Sequence, residues 1–565
     1  MDDSDMEQTT GKKDESPPGL PVCAEQFITA VVRKMGYRKR VRQEVREELT
    51  AHFEDELRDV TDAAEREKSA KRLIQEFGDA GLLAILCRRA KKRCRPLWVR
   101  AFVRTMQIVG VFLLVFIPYT IWFVRGKANP TIDYLPQLNA LHRPSGPIED
   151  NAWPYYERAL RLVIEPNETV LRASWFKSLN APEKPLVPQD WKAIEDWISL
   201  NSSAWSQVEF AVVQKYCHRI YQRVPGLPLW YSWDNPPMAK LRRLVQLGLW
   251  TSRLAMEQEH VDNALDTCLT LLLIGAHWQK NALLIDQLMA HAMSQAICRE
   301  IVRIAETTHL SGSQLSDLQT RLLQAYRDGY PHMSFDGERL IVLDLIQYCF
   351  TRGGPGGGHV VTMDYFADLH KTIGFPNTDV SAPSGMMASS VNAALTMMHA
   401  SRDRTIVKLD QVNNRLRGIA GLSPYEQRSG GFRDWGDRVG AIEMRRYGLV
   451  YHLLPAQRRA SEVSFRARAE YEALVAIVAI KKYRVEKADY PREFEALIRE
   501  GYLTELPMDP YSDAPLVYRP TGDDFILYSL GLNFTDDGGQ PGRDEEGRPK
   551  LWGVDGDAVF WPVNR

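Results

Sequence analysis

The chain is 565 residues long, 44% hydrophobic and 25% charged, with a formal net charge of −1 at pH 7. Such a balance belongs to a globular, water-compatible protein and excludes one held to nucleic acid by bulk positive charge. Seven cysteines without a C-x-x-C pair also exclude a disulfide-framework protein.

Residues 1–20 are polar and acidic and end in Ser16-Pro17-Pro18-Gly19. They lack the apolar groups that offset chain entropy, so a disordered tail is expected. From residue 21 to 95 the apolar positions take helical spacing. Phe27, Ile28, Val31, Val32 and Met35 mark a helix stopped by Gly36; Val41, Val45, Leu49, Phe53, Leu57 and Val60 mark a second. A third carries Leu73, Ile74 and Phe77 before Gly78-Asp79, and a short fourth holds Leu82, Leu83 and Leu86. The spacing predicts a small helical bundle. Cys87 and Cys94 read as free structural thiols, because two cysteines make an incomplete metal site.

Glu47-Glu48-Leu49, His52, Glu54-Asp55, Phe77-Gly78-Asp79 and Leu82-Leu83 resemble the short helical prefix domain that precedes membrane spans in bacterial permeases and sensor-like proteins. The resemblance implies a bacterial membrane protein with a protein contact on the inner face and no catalysis. On the residues alone, His52 and the acids form the solvated side of an amphipathic helix.

Met106–Val124 carries no formal charge. At ~1.5 Å per residue it covers about 28 Å as a helix, close to the ~30 Å hydrocarbon thickness of a bilayer. Apolarity on every face and the terminal aromatics Tyr119, Trp122 and Phe123 favour a membrane span over a buried core helix. Pro118 is compatible with either. Arg88, Arg89, Lys91, Lys92, Arg93, Arg95, Arg100 and Arg104 precede the span, whereas Arg125, Lys127 and Arg143 follow it. Positive side chains stay on the cytoplasmic side, so the N-terminus is expected inside, in the cell inner membrane, with the basic run against anionic headgroups. The span lies too far along the chain for a cleaved signal peptide and serves as both targeting signal and single-pass anchor.

A proline-punctuated linker, residues 125–150, leads into an extracytoplasmic, mainly helical domain over 151–460. Its first part is rich in aromatics: Trp153, Tyr155, Tyr156, Trp175, Phe176, Trp191, Trp197, Trp205, Trp230 and Trp233. Such a set can form a platform for sugar or peptide ligands, but the spacing of Trp191, Trp197 and Trp205 fits helices burying them in a core. Residues 239–306 hold three apolar stripes, expected as antiparallel helices with short turns. Ser311 or Ser313 caps the next helix, with Leu315, Leu318 and Leu322 on its apolar face. Gly353-Gly354-Pro355-Gly356-Gly357-Gly358 reads as a mobile loop. As a nucleotide cradle it fails, since no Lys-Ser/Thr pair follows and no apolar strand precedes it.

Catalytic patterns fall short. Ser174-x-x-Lys177 and Ser390-x-Asn392 match two elements of penicillin-binding proteins, but K-T-G is absent and Lys371-Thr372 lies before the second element. No H-E-x-x-H or G-x-S-x-G occurs, and His277 and His291 on apolar helices read as satisfied interior side chains. Cys217, Cys268, Cys298 and Cys349 fall on the outer side, where a bridge is chemically allowed but no pairing follows from spacing.

Near residue 461 the pattern changes. A helix containing Ala473–Ile480 leads to Tyr490-Pro491, a short helix with Phe494, Leu497 and Ile498, and then a β-hairpin of Leu516-Val517-Tyr518 and Phe525–Ser529 turning at Thr521-Gly522-Asp523. The helix, Tyr490-Pro491, Gly501-Tyr502-Leu503, Leu506-Pro507, Asp509-Pro510-Tyr511 and Tyr528-Ser529-Leu530-Gly531 resemble the globular part of the major pseudopilin of type II secretion. The resemblance implies an α+β module over 461–565 and a calcium-binding loop after its sheet. Asn533, Asp536, Asp537, Asp555 and Asp557 stand where ligands would come from, and calcium takes hard oxygen donors; a solvated acidic loop is the alternative. A pseudopilin opens with a leader and a long assembly helix, whereas here the module closes the sequence, so filament formation is not expected.

The fold class expected is mainly α: a helical cytoplasmic bundle, one transmembrane helix, a large helical outer domain, and a small α+β module with an antiparallel sheet. No constellation names a reaction. A binding or scaffolding role in the envelope, with the lipid bilayer and an envelope protein as partners and no nucleic acid, is the leading expectation. An envelope hydrolase acting on peptidoglycan or peptides and a secretion-system accessory are the alternatives.

Overall fold

The computed structural model describes residues 19–93, 97–168, 170, 186–232, 238–361, 398–432, 440–451 and 454–563. Most of the tail, Cys94, Trp175, Phe176, Trp233, Ser174, Lys177, Lys371, Thr372, Ser390 and Asn392 lie outside them. The chain divides into two compact units, Met1–Ile121 and Trp122–Arg565.

In the first unit α1 (Val22–Lys34), α2 (Lys39–Glu56), α3 (Ala63–Phe77) and α4 (Ala80–Arg93) follow the expected breaks. Gly36 and Gly78 sit at φ +52° and +75°, the left-handed region that ends a helix at little cost for glycine. Asp62 caps α3 by accepting the Glu65 N–H at 3.0 Å. The core closes where Phe27, Phe53 and Phe77 meet, with ring centroids 5.6–6.3 Å apart.

The helix α5 (Leu97–Val124) continues through Pro118. Its stretch Ala101–Phe123, 23 residues of mean hydropathy 2.0, has only 6% of its apolar window buried. A soluble protein's core helix buries such a face; here Ile108, Val111, Leu114 and Val115 are more than 60% exposed. One helix is therefore long and apolar enough to cross a bilayer, as a single-pass membrane protein requires.

The second unit is a helical body with a small sheet at one end. Residues 125–150 are docked against it: the Gln347 amide accepts the N–H groups of Thr131 and Ile132 at 3.0 and 2.9 Å and donates to the Ile132 carbonyl at 2.9 Å. Then come α6 (Trp153–Leu162), α7 (Pro188–Leu200), α8 (Ser202–Val212), α9 (Met238–Glu257), α10 (Val261–Trp278), α11 (Leu284–Thr307) and α12 (Gly312–Ala325). Helices α9 to α11 pack in sequence order, as their stripes predict. Trp153, Tyr156 and Trp197 are buried in this core. Ser311 caps α12 in a reciprocal box with Gln314.

A second apolar cluster surrounds α13 (Asp336–Cys349) and α14 (Arg402–Ala420). The glycine run 353–358 between them is tied down. Thr351 N–H donates to the His359 carbonyl, Val361 N–H to that of Cys349, and Arg402 N–H to that of Gly358. Among the described residues, further short helices lie at Leu135–Ala140, Pro424–Ser429, Ala441–Arg446, Gly448–Tyr451 and Ala496–Arg499.

The long helix α15 (Leu454–Lys487) crosses the position where the sequence pattern changes. Ala473–Ile480 are buried on every side, packed on α11 and α12 and, at the far end, on the sheet. Burying each branched side chain contributes about 1.5–3 kcal/mol, so this helix is the common centre of the helical body and the C-terminal part. The sheet contains the expected hairpin, β1 (Val517–Pro520) and β2 (Phe525–Ser529), with Val517 opposite Tyr528. A further strand, β3 (Ala558–Trp561), pairs antiparallel with β2, giving the order β1-β2-β3. Cys217, Cys268, Cys298 and Cys349 are buried free thiols, not a bridge.

Candidate functional site

The four aspartates singled out from the sequence lie in the loop between β2 and β3. This loop is built around Asp509, whose buried carboxylate accepts the Ser529 hydroxyl at 2.6 Å and the N–H groups of Leu530 and Tyr511 at 2.9 Å. Gly531 turns the chain at φ +68°, and a Cβ there would stand 2.8 Å from the Gly556 carbonyl. A side chain would force the two loop ends apart.

Three of the four come together. Asp557 is fully buried and accepts the N–H groups of Gly539 at 2.7 Å and Asp537 at 3.2 Å. Burial, and then the neighbouring charges of Asp537 and Asp536, push its carboxyl up, against the pull of those two N–H groups. Asp536 goes the other way: burial would raise it, but the Gly538 N–H, the Tyr528 hydroxyl and the Arg519 charge outweigh that and hold it below the usual range. The Asp537 carboxylate takes the Asn533 amide at 2.6 Å. Asp555 is engaged elsewhere, accepting the Arg543 N–H at 2.8 Å.

The donor set has calcium's chemistry, but its geometry is that of a hydrogen-bonded turn. Among the described residues no group of three or more His, Cys, Asp or Glu side chains stands as a metal-ligand set. A calcium ion held by Asp536, Asp537 and Asp557 would share Asp537 with the Asn533 amide, which takes one of its two oxygens.

A second constellation, unforeseen from the sequence, sits at the start of α11. Arg219 and Asp286, both fully buried, form an ion pair. The Tyr221 hydroxyl donates to the other Asp286 oxygen at 2.7 Å, and the guanidinium lies 5.3 Å from the Trp153 ring and 4.9 Å from that of Tyr221. Burial pushes the Asp286 carboxyl up, with Arg219 and Tyr221 opposing. Beside it, half-buried Glu338 accepts the Leu284 N–H at 2.6 Å. Burial raises its carboxyl to about 7 despite that bond, and the Asp286 charge adds to the rise. A third joint is Glu470 on α15, which accepts both nitrogens of Arg299 at 2.7 and 2.8 Å, the Gln295 amide at 2.8 Å and the Trp552 indole N–H at 2.7 Å.

Arg219, Asp286 and Glu470 are closed off from solvent and already partnered, an arrangement that joins elements of the helical body and leaves these three side chains no open position for a substrate. The histidines agree. His277 Nδ1 meets the Tyr156 hydroxyl at 2.9 Å and His291 Nδ1 that of Tyr330 at 3.1 Å. Burial lowers both rings to about 4, so they are neutral interior groups at pH 7. The Cys268 and Cys349 thiols are pushed up to about 12 by burial, which leaves them inert as nucleophiles. The Arg219–Asp286 pair is separated by 67 positions, and nothing in local spacing announces it.

Comparison of the chain with protein-family models, with curated proteins and with solved structures finds no match.

Proposed function

We propose that the protein is a single-span component of a bacterial envelope, with the N-terminal helices in the cytoplasm and residues from 125 onward outside, acting in binding or scaffolding rather than in catalysis. The observation that carries the reading is the exposed apolar helix Ala101–Phe123. The density of positive charge before it, against the few basic residues after it, supports the orientation. The Arg219–Asp286 pair and Glu470 are buried and engaged in holding the helical body together, which supports a structural role for the outer body. The envelope protein that it binds is proposed to engage this outer body.

Calcium belongs to the same reading. Asp536, Asp537 and Asp557 would supply its oxygen ligands, and the ion would offset the negative charge that these carboxylates bring together.

Two measurements on the full chain test this. Expressed in bacteria, it is expected to stay in the membrane pellet after alkaline carbonate washing. Protease added to intact spheroplasts is expected to remove the region after residue 125 while leaving an N-terminal tag protected. Release by carbonate, or digestion of the N-terminal tag from outside, overturns the reading.

A further inference from the structure

A cavity of about 540 Å³ lies between the glycine run and α14, lined by Pro355, Gly356, Met398, His399, Ala400, Ser401, Arg404, Ile442 and Arg446. Among the described residues two guanidiniums line it and no carboxylate does. Among the described residues neither Arg404 nor Arg446 is held by an acid. Two acids next to the lining residues in sequence face other partners: Asp403 lies against Gly357, and Glu443 holds Lys408 and the Tyr451 hydroxyl.

Two further features shape the cavity. The cavity opens on the N-terminal turn of α14, whose N-cap, Ser401, makes no side-chain cap bond; that turn presents N–H groups and the positive end of the helix dipole. At Gly356 a Cβ would come within 2.4 Å of the Ser401 hydroxyl oxygen, so only glycine lets the loop approach this turn so closely.

Position identifies the source of the anion. The same loop clasps the end of the apolar helix. His359 lies with its ring 4.3 Å from that of Trp122 and 4.4 Å from that of Phe123, and its Nε2 meets the Phe123 carbonyl at 3.1 Å. Gly354 packs on the Trp122 ring, where a Cβ would be 3.2 Å away. Gly356 follows two residues later, a reach of at most about 7 Å. Tryptophan at a span's end marks the headgroup level of a bilayer. The cavity's rim is exposed and apolar, with Ile442 79%, Met398 56% and the nearby Met444 47% exposed, a pattern suited to acyl chains below a charged headgroup.

We infer that this cavity binds the headgroup phosphate of an anionic phospholipid from the leaflet into which the C-terminal end of α5 opens, Arg404 and Arg446 contacting the phosphate and Ile442 and Met398 the acyl chains. The inference rests on the membrane reading proposed above.

The test uses the full chain purified in detergent and challenged with dioctanoylphosphatidylglycerol, dioctanoylphosphatidylcholine or inorganic phosphate. Bound lipid is counted by native mass spectrometry and binding is followed by thermal melting. The native chain is expected to retain the glycerol lipid about tenfold better than the choline lipid, and the doubly substituted Arg404→Gln/Arg446→Gln chain to lose that preference. The single reversal Arg446→Glu, at an exposed position, is expected to weaken it without lowering the ligand-free melting temperature; the exposed control Arg327→Gln is expected to leave it intact. An equal preference in the doubly substituted chain, no preference in the native chain, or stabilisation by inorganic phosphate equal to that by the lipid overturns the inference. Carbonate washing separates the two failures. A chain that stays in the membrane but shows no lipid preference sinks this inference alone, whereas a released chain sinks the membrane reading.

Discussion

The joint at the start of α11 and the acidic loop between β2 and β3 both place carboxylates out of water, and they solve the problem differently. Asp286 is neutralised by a full opposite charge, Arg219, within a wall of aromatic rings. Among the described residues no cationic side chain pairs with Asp557; it is held by the N–H groups of Asp537 and Gly539 while two further aspartates crowd it. A buried ion pair is strong only as a pair, because either partner alone is an uncompensated charge in a poor dielectric. A carboxylate held by backbone dipoles is less extreme on both counts. The first arrangement fixes helices for good, and the second leaves a place where a cation can still compete.

The contrast is sharpest when one partner is removed. Asp286→Ala leaves the Arg219 guanidinium buried without its counter-charge, and a loss of about 3–5 kcal/mol is expected, read as a large drop in the melting temperature of the full chain. The double change Asp286→Leu/Arg219→Met is expected to recover much of it. If the double change is as damaging as the single one, charge pairing is not what holds the joint. Glu470→Ala is expected to cost about 2–3 kcal/mol, since it strips the acceptor from Arg299, Gln295 and the Trp552 indole together. Unchanged melting in that variant would mean that α11 and the C-terminal part are held by apolar packing alone.

Glu338 tests the same site by pH. Its folded carboxyl titrates near 7, above the ordinary ~4.3 of an unfolded glutamate. Between those values the unfolded chain binds fewer protons, so this group makes stability fall as pH rises and has its full unfavourable effect above about 7. Glu338→Gln keeps an acceptor for the Leu284 N–H. It is expected to gain about 1–2 kcal/mol at pH 8 and nothing at pH 4, a gain kept below the full shift because the side chain is half-buried. An equal effect at both pH values would remove the titration from the account.

The smallest effect belongs to the loop. Calcium is expected to raise the melting temperature of the full chain by a few degrees, about 1 kcal/mol, and Asp537→Asn to abolish that rise. Magnesium is expected to do less, since it demands tighter octahedral geometry. No shift with calcium would leave the loop as a hydrogen-bonded turn.

Legibility followed sequence distance. Gly36, Gly78 and the Ser311–Gln314 box act within a turn of their helices, and the boundaries they announce are where the structure has them. The hairpin was readable from alternation around Thr521-Gly522-Asp523, and β3 was also within reach, since Ala558-Val559-Phe560-Trp561 is an apolar run closed by Pro562. The joints were not readable. Arg219 meets Asp286 across 67 positions and Arg299 meets Glu470 across 171, and no periodicity encodes a pair that only the folded packing creates. The cavity is hidden for the same reason: Gly356, Arg404 and Arg446 belong to separate stretches, and the glycine run read alone is only a failed nucleotide loop.

The long helix α15 also sets a timetable for synthesis. Its Tyr471 donates to the Leu322 carbonyl 149 positions earlier, and its Glu470 holds Gln295 from 175 positions away. At ribosomal rates of roughly 5–20 residues per second, the apolar faces of α11 and α12 wait about 10–30 s for their covering helix. Until it arrives, the nascent helical body is a client for holding chaperones, and a truncation before residue 454 would leave it one permanently.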